Sequence, residues 1–219
     1  MEAPVNTDGE VVSAPATRDP DGARRRILEA ATAEFAAHGL AGARVAAIAE
    51  RAGVNKRMLY HYYGDKESLF VAVLEAAYAA IRERERALDL QDLPPAEAMR
   101  RLVETTWDHY VERPEFITLL NSENLHRARH IRGSSRVREM HSPFVGMVDE
   151  ILRRGEASGD FRGGVDPVEL YISIASLGYF YLSNRHTLST IFGRDLEAPE
   201  AMAARRAHMV DVILGFLRP

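Results

Sequence analysis

The sequence predicts an all-α chain, with a small N-terminal unit of three helices followed by a larger helical body. Three observations carry this. Apolar residues recur at three- and four-residue spacing from position 22 onward, and Ala, Leu, Glu and Arg dominate the same stretch. No run alternates apolar with polar residues, as a half-buried strand would. Pro and Gly mark the breaks between periodic segments. With 219 residues, 46 % of them hydrophobic, the chain has material for a sizeable core.

The elements follow in order. Residues 1–20 are rich in Pro, Ala, Thr, Ser and Asp without periodicity and are expected to form a disordered tail. A first helix spans about 21–38, with Ile27, Leu28, Ala31 and Phe35 on its apolar stripe and Gly39 as its stop. Short helices follow over about 45–52 and 56–63, closed by Gly53 and Gly64. Asp65 caps a helix reaching about residue 88. Further helices are expected over about 95–112, 114–129, 135–157, 167–184 and 199–217, each opened by Pro at the first helical position or by a Ser or Asp cap. Pro143 should kink or restart its helix.

The spacing around the two short helices meets a specific set of demands. A helix-turn-helix needs a small residue where its helices touch, a residue tolerant of positive φ in the turn, an apolar plug, and an apolar return to the core. Ala49, Gly53, Val54 and Leu59 supply these in order. The other side of the second helix carries Asn55, Lys56, Arg57, Tyr60, His61 and Tyr62, all hydrogen-bonding or basic. The start of such a helix faces base edges in the major groove. Lys56 and Arg57 could meet guanine acceptors or phosphates, and Asn55 could read adenine or cap the helix. Tyr60 and Tyr62 offer hydroxyls to phosphate oxygens. Lys66 places a cation beside free helix N–H groups, a phosphate seat. Arg24, Arg25, Arg26, Arg44, Arg51, Lys56 and Arg57 outnumber Glu29, Glu34 and Glu50 between residues 22 and 64, in a chain of net charge −4. A basic segment on an acidic body suits a local phosphate-facing surface.

Residues 22–75 resemble the DNA-binding domain of the TetR family of regulators. The resemblance rests on Ile27-Leu-Glu-Ala-Ala-x-x-x-Phe35-x-x-x-Gly39, Val45-x-x-Ile48-Ala49-x-x-Ala52-Gly53-Val54 and Leu59-Tyr60-x-Tyr62-Tyr63-x-x-Lys66-x-x-Leu69. It implies a homodimer on a palindromic double-stranded DNA operator, a repressor released by a small molecule, and phosphate contacts from Tyr60 and Lys66. Two departures stand out. Ala43-Arg44 replaces the threonine usual before the second helix, which removes a cap and leaves Arg44 to meet phosphate by charge alone. Tyr63 replaces a common phenylalanine, so its hydroxyl needs solvent or a partner.

The chain then divides into a tail (1–20), a helix-turn-helix DNA-binding domain (21–75) and an effector-binding and dimerisation domain (76–219). Segments around Arg113-Pro-Glu-Phe-Ile and Arg154-Gly-x-x-x-Ser-Gly159-Asp-Phe-Arg162 resemble one subgroup of TetR-like C-terminal domains. Candidate effector contacts are Trp107, Tyr110, Phe116, Asn121, Asn124, Phe144, Tyr171 and Tyr179, aromatic or amide groups of the kind that line pockets in helical bundles, though the aromatic ones equally suit core positions. Asn121 and Asn124 share a helix face and mark either a structural hydrogen bond or a ligand contact. The last two helices, with Leu170, Ile174, Leu177, Tyr181, Met202, Met209, Ile213 and Phe216, either pair with their copies in a second subunit or pack inside the monomer. Ser173 and Gly178 would allow close approach.

Other functions find little support. There is no nucleophile elbow, P-loop, dinucleotide fingerprint or zinc helix, so an enzyme is not expected. No cofactor is implied. His38, His109, His141 and His208 lack metal-ligand spacing, and no metal is expected. A helical adaptor for proteins would not need Lys56, Arg57, Tyr60 and Lys66 on one surface. The basic run from His126 to Arg138 could attract an anion or form a solvated surface. Without cysteine, a targeting segment or a long apolar stretch, the chain reads as cytoplasmic with no membrane partner.

Overall fold

The computed structural model describes residues 19–219, and among them there are helices and turns but no strand. Asp19 and Pro20, read as the end of the tail, open the first helix instead. The Asp19 carboxylate accepts the Gly22 N–H at 2.8 Å, and Pro20 sits where its missing N–H costs nothing. The rest of the expected tail lies outside the described residues. In chain order the helices are α1 (Pro20–Gly42), α2 (Val45–Arg51), α3 (Lys56–Tyr63), α4 (Lys66–Arg86), α5 (Pro95–Glu112), α6 (Pro114–Leu125), α7 (Ser135–Ser158), α8 (Pro167–Phe192) and α9 (Pro199–Leu217), with a 3₁₀ turn at Ile131–Gly133.

Two apolar clusters organise these helices. One joins Ile27, Phe35, Ile48, Ala49, Leu59, Leu69 and Phe70 of α1–α4, and Leu119 of α6 plugs into it. The other gathers Ile81, Leu102, Tyr110, Phe116, Phe144, Ile174 and Met209 of α4–α9. Helix α4 serves both: Leu69 to Leu74 pack in the head, Ile81 in the body, and Ala77 touches each.

Three expected boundaries move, each for a local reason. The α1 stop at Gly39 holds (φ 63°), but one more turn follows and returns Leu40 to the head core. Helix α6 ends at Leu125, not near 129. Arg127 and Ala128 turn to φ 56° and 57°, and the buried Glu123 carboxylate accepts the His130 and Ile131 N–H groups at 2.8 and 3.0 Å. Of the basic run at 126–138, the His130 ring is buried against Glu123, while Arg127, Arg129, Arg132, Arg136 and Arg138 stay on the solvated surface. Helix α8 continues past Asn184 to Phe192, where Gly193 takes φ 60°. Pro143 does not restart a helix: α7 is continuous through it.

Candidate functional site

The head presents α3 outward. Leu59 is fully buried, which fixes the helix on the core and turns Lys56, Arg57, Tyr60 and His61 to solvent. Asn55 acts as a cap: its Oδ1 accepts the Met58 N–H at 2.8 Å. Tyr62 is half-buried and faces α1, where the Arg24 guanidinium lies 5.3 Å from its ring. The Tyr63 hydroxyl finds its partner by donating to the Arg24 carbonyl at 3.1 Å. Arg44 is exposed and its side chain caps nothing. The entrance to α2 is held another way: the buried Glu34 carboxylate accepts the Arg44 backbone N–H at 3.0 Å, while the first-turn N–H groups keep no side-chain cap. Sequence reasoning counted Glu34 as a surface charge and missed this.

The phosphate seat expected at Lys66 is already engaged. Lys66 Nζ donates to the Ala43 and Ala41 carbonyls at 3.0 and 3.4 Å, tying α4 to the turn before α2. The Ser68 N–H, one of the groups expected to be free, is taken by the Asp65 carboxylate at 2.6 Å. That bond holds the Asp65 carboxyl below the usual range. A third Lys66 donor remains for an outside acceptor.

The expected effector contacts separate into groups. Phe144 and Tyr171 flank a buried ion pair that the sequence reading missed, Arg82 with Glu85, and Tyr110 and Phe116 stack on each other in the same core. The Arg82 guanidinium lies 3.8 Å from the Phe144 ring centre and 5.2 Å from that of Tyr171. Its Nη2 donates to Glu85 Oε1 at 3.1 Å and to the Tyr171 hydroxyl at 3.4 Å. His109, Tyr78 and His141 complete the surroundings. Burial, with Arg84 and Arg113 adding repulsion, lowers the His109 imidazole to about 4, so it is neutral at pH 7. Burial raises the Tyr78 hydroxyl to about 12. Trp107 lies apart, edge-on to Tyr181 at 5.8 Å. Asn121 bridges α6 and α8, donating to Ser183 at 3.0 Å and accepting from the Tyr179 hydroxyl. Asn124 shares no site with it: exposed, it donates to the Leu120 carbonyl of its own helix. Against α1, α4 and the α5–α6 corner lies a further cavity of about 400 Å³, with His109 and Phe116 in its wall.

The late helices turn a different face outward from the one expected. Leu170, Ile174, Met209 and Ile213 are buried within the subunit, and Leu177, Tyr181 and Met202 are half-buried against the same core. Gly178 admits the Tyr110 ring of α5, which a Cβ would meet at 3.1 Å, so its small size serves intramolecular packing. The exposed apolar face comprises Ile172, Phe180, Val212 and, from the expected set, Phe216. Among the described residues no helix is long and apolar enough to cross a membrane, and no three His, Cys, Asp or Glu side chains gather as a metal site.

Comparison with known proteins agrees with this architecture. The family described as "Bacterial regulatory proteins, tetR family" matches residues 27–73, and "Tetracyclin repressor-like, C-terminal domain" matches residues 95–213. The HTH-type transcriptional repressor NicS of Pseudomonas putida is 42 % identical over 198 residues, covering 90 % of this chain and 93 % of its own. The putative transcriptional regulator SCO4942 of Streptomyces coelicolor superposes with a TM-score of 0.68 at 27 % identity, covering 90 % of this chain and 99 % of that one. The regulator FadR of Bacillus subtilis, solved with stearoyl-CoA, shares the fold with a TM-score of 0.65 at 16 % identity, over 89 % of this chain and all of its own.

Proposed function

Since the chain belongs to the TetR family of bacterial transcriptional regulators, we propose that it works as a repressor whose α3 enters the major groove of an operator and whose body binds a small molecule that releases it. It is a DNA-binding regulator and not an enzyme. The observation that carries the DNA-reading assignment is the exposed row Lys56, Arg57, Tyr60 and His61 on a helix pinned by fully buried Leu59. Arg57 and Lys56 stand at the start of the helix, where base edges come within reach. Tyr60, Arg44 and the spare donor of Lys66 flank them for phosphate. Residues 21–75 serve as the reading unit and 76–219 as the effector and dimerisation unit, with α4 as a rod through both. The aromatic core around Arg82 is the effector site. A cytoplasmic homodimer formed through the outward face of α8 and α9 would present two reading helices to a palindrome.

Binding of the purified protein to genomic fragments, at several salt concentrations and against competitor DNA, tests the reading. Specific fragments are expected to be retained, and retention of none at any salt refutes it. Arg57→Ala is expected to cost about 1–3 kcal/mol on the specific site and little on competitor. Tyr60→Phe should weaken all sequences alike, as loss of a phosphate contact does.

A further inference from the structure

We propose that Arg82 is the recognition group for a small carboxylate effector with a flat, apolar body, which takes the guanidinium over from Glu85. The proposal deepens the effector reading above by naming the ligand's chemistry.

Arg82 is 2 % exposed and Glu85 is fully buried. A buried ion pair is poor value for stability, since apolar residues of similar size generally do as well. Such a pair should at least be well made, and this one is not. Nη2 bonds Glu85 Oε1, but Nε stands 3.0 Å from Oε2 out of line for a hydrogen bond. Arg82 Nε, Arg82 Nη1 and Glu85 Oε2 are all buried without a hydrogen-bond partner. Unsatisfied groups of this kind are rare in folded proteins and ask for an explanation. Nη1 is unspent, and the edge formed by Nε and Nη2 is only half bonded by Glu85; the ligand class that fills such an edge with two parallel bonds is a carboxylate.

The surroundings select the rest of the ligand. Phe144 covers the guanidinium face, and Tyr171 stands beside it at 4.9 Å from Phe144. Tyr78, Phe116 and Tyr110 continue the aromatic wall. These rings favour a flat apolar body over a flexible or charged one. A cavity of about 40 Å³ already lies against Arg82 and Glu85, walled by Met140, Pro143, Phe144 and Met147. It has room for a water rather than a ring, but its wall is the kind that yields. Methionine repacks readily, and Pro143 leaves α7 short of one backbone hydrogen bond. Pro143 and Met147 also form part of a surface groove of about 440 Å³ alongside Leu90 and Arg154, which gives an approach from solvent. Burial pushes the Glu85 carboxyl up to about 8 against the pull of Arg82, so at neutral pH it holds the guanidinium less firmly than a full carboxylate does.

Calorimetric titration of the full chain with benzoate and with benzamide, its neutral counterpart of the same shape, tests this. Benzoate should bind at least about tenfold more tightly, a difference of one hydrogen-bonded charge. Glu85→Gln, which keeps the shape and can no longer ionise against the ligand, should tighten benzoate further, most of all at pH 8 and above, and leave benzamide unchanged. Arg82→Gln should abolish the preference, with a melting curve recorded to show that the variant folds. Should Arg82→Gln fail to fold, the wild-type ratio and Glu85→Gln decide by themselves. Equal binding of the two probes overturns the proposal, as does a preference that survives in folded Arg82→Gln, or no benzoate binding into the millimolar range. The operator-binding assay separates the two readings: benzoate bound at Arg82 without loss of DNA affinity supports the carboxylate site and counts against effector release.

Discussion

The Glu34 carboxylate, 3 % exposed on α1, accepts the backbone N–H of Arg44 itself, which fixes the entrance of the reading motif but leaves the N–H groups of the first α2 turn without the hydroxyl that a threonine would supply. Glu34→Ala removes the acceptor of that part-buried N–H, and unfolding by urea should show a loss of about 0.5–1.5 kcal/mol. Adding Arg44→Thr supplies a hydroxyl to the first-turn N–H groups of α2 and should offset the loss by roughly 1 kcal/mol through that separate bond. His109 acts in the opposite sense, through a charge that burial excludes. Its imidazole titrates near 4 in the folded chain and near 6.5 in the unfolded one. Between those values the unfolded state binds more protons, so this group's stability is intact above pH 6.5 and lost as pH falls toward 4. The loss is on the order of 3 kcal/mol at most. His109→Gln should be less acid-sensitive across that window, read by urea midpoints at several pH values. Neither role could be taken from the sequence, since the partner of Glu34 is ten positions away and His109 differs from a surface histidine only by its neighbours. Arg82 and Glu85 hide in the same way. Inside Arg82-Glu-Arg-Glu-Arg they read as a solvated run, and only their three- and four-residue spacing from Leu74, Tyr78 and Ile81 marks them as inward.

Among the helices, α7 shows how a single missing Cβ sets a boundary. Gly159 ends it in the left-handed conformation (φ 77°), which an L side chain rarely adopts. The chain then doubles back so that the Phe161 ring lies over Gly155, where a Cβ would stand 2.0 Å from it. Gly155→Ala is therefore expected to lower stability by about 1–3 kcal/mol despite its better helix propensity. Phe161→Leu in the same chain should relieve part of the clash, giving a non-additive pair. Gly146, in the same helix, has open space around it. Gly146→Ala should stabilise by up to roughly 1 kcal/mol, and thermal melting of the two alanine variants should move in opposite directions. The helix starts and α3 were legible because caps, Pro and Gly leave local marks. The ends of α6 and α8 were not, because Glu123 turns one through side-chain bonds to later residues, and the other runs on through Ser, Thr and Asn residues that resemble a loop.

For the molecule as a whole, the two cores meet along α4, and Arg84 grips Glu112 of α5 through a two-bonded pair. A change at Arg82 therefore bears on the same helix that Lys66 ties to the reading motif. Delivery of that change to DNA rests on the proposed pairing of two subunits, and here the sequence could not choose the face. Helix α8 is apolar nearly all round, so periodicity has no polar side to contrast with, and only packing separates buried Ile174 from exposed Ile172 and Phe180. The two classes of position should respond differently. Ile172→Glu with Phe180→Glu places charge on the outward face, where the single subunit loses little by way of its own packing. Light scattering should report a monomer with a near-normal far-ultraviolet dichroism spectrum. Operator affinity should fall by about 10²-fold or more, since each reading helix then binds without its tethered partner. Ile174→Glu buries an unpaired charge in the subunit core instead, and should cost more than about 3 kcal/mol and unfold the chain. A dimer that survives the Ile172 and Phe180 substitutions would move the interface away from α8 and α9, and with it the spacing of the two reading helices on DNA.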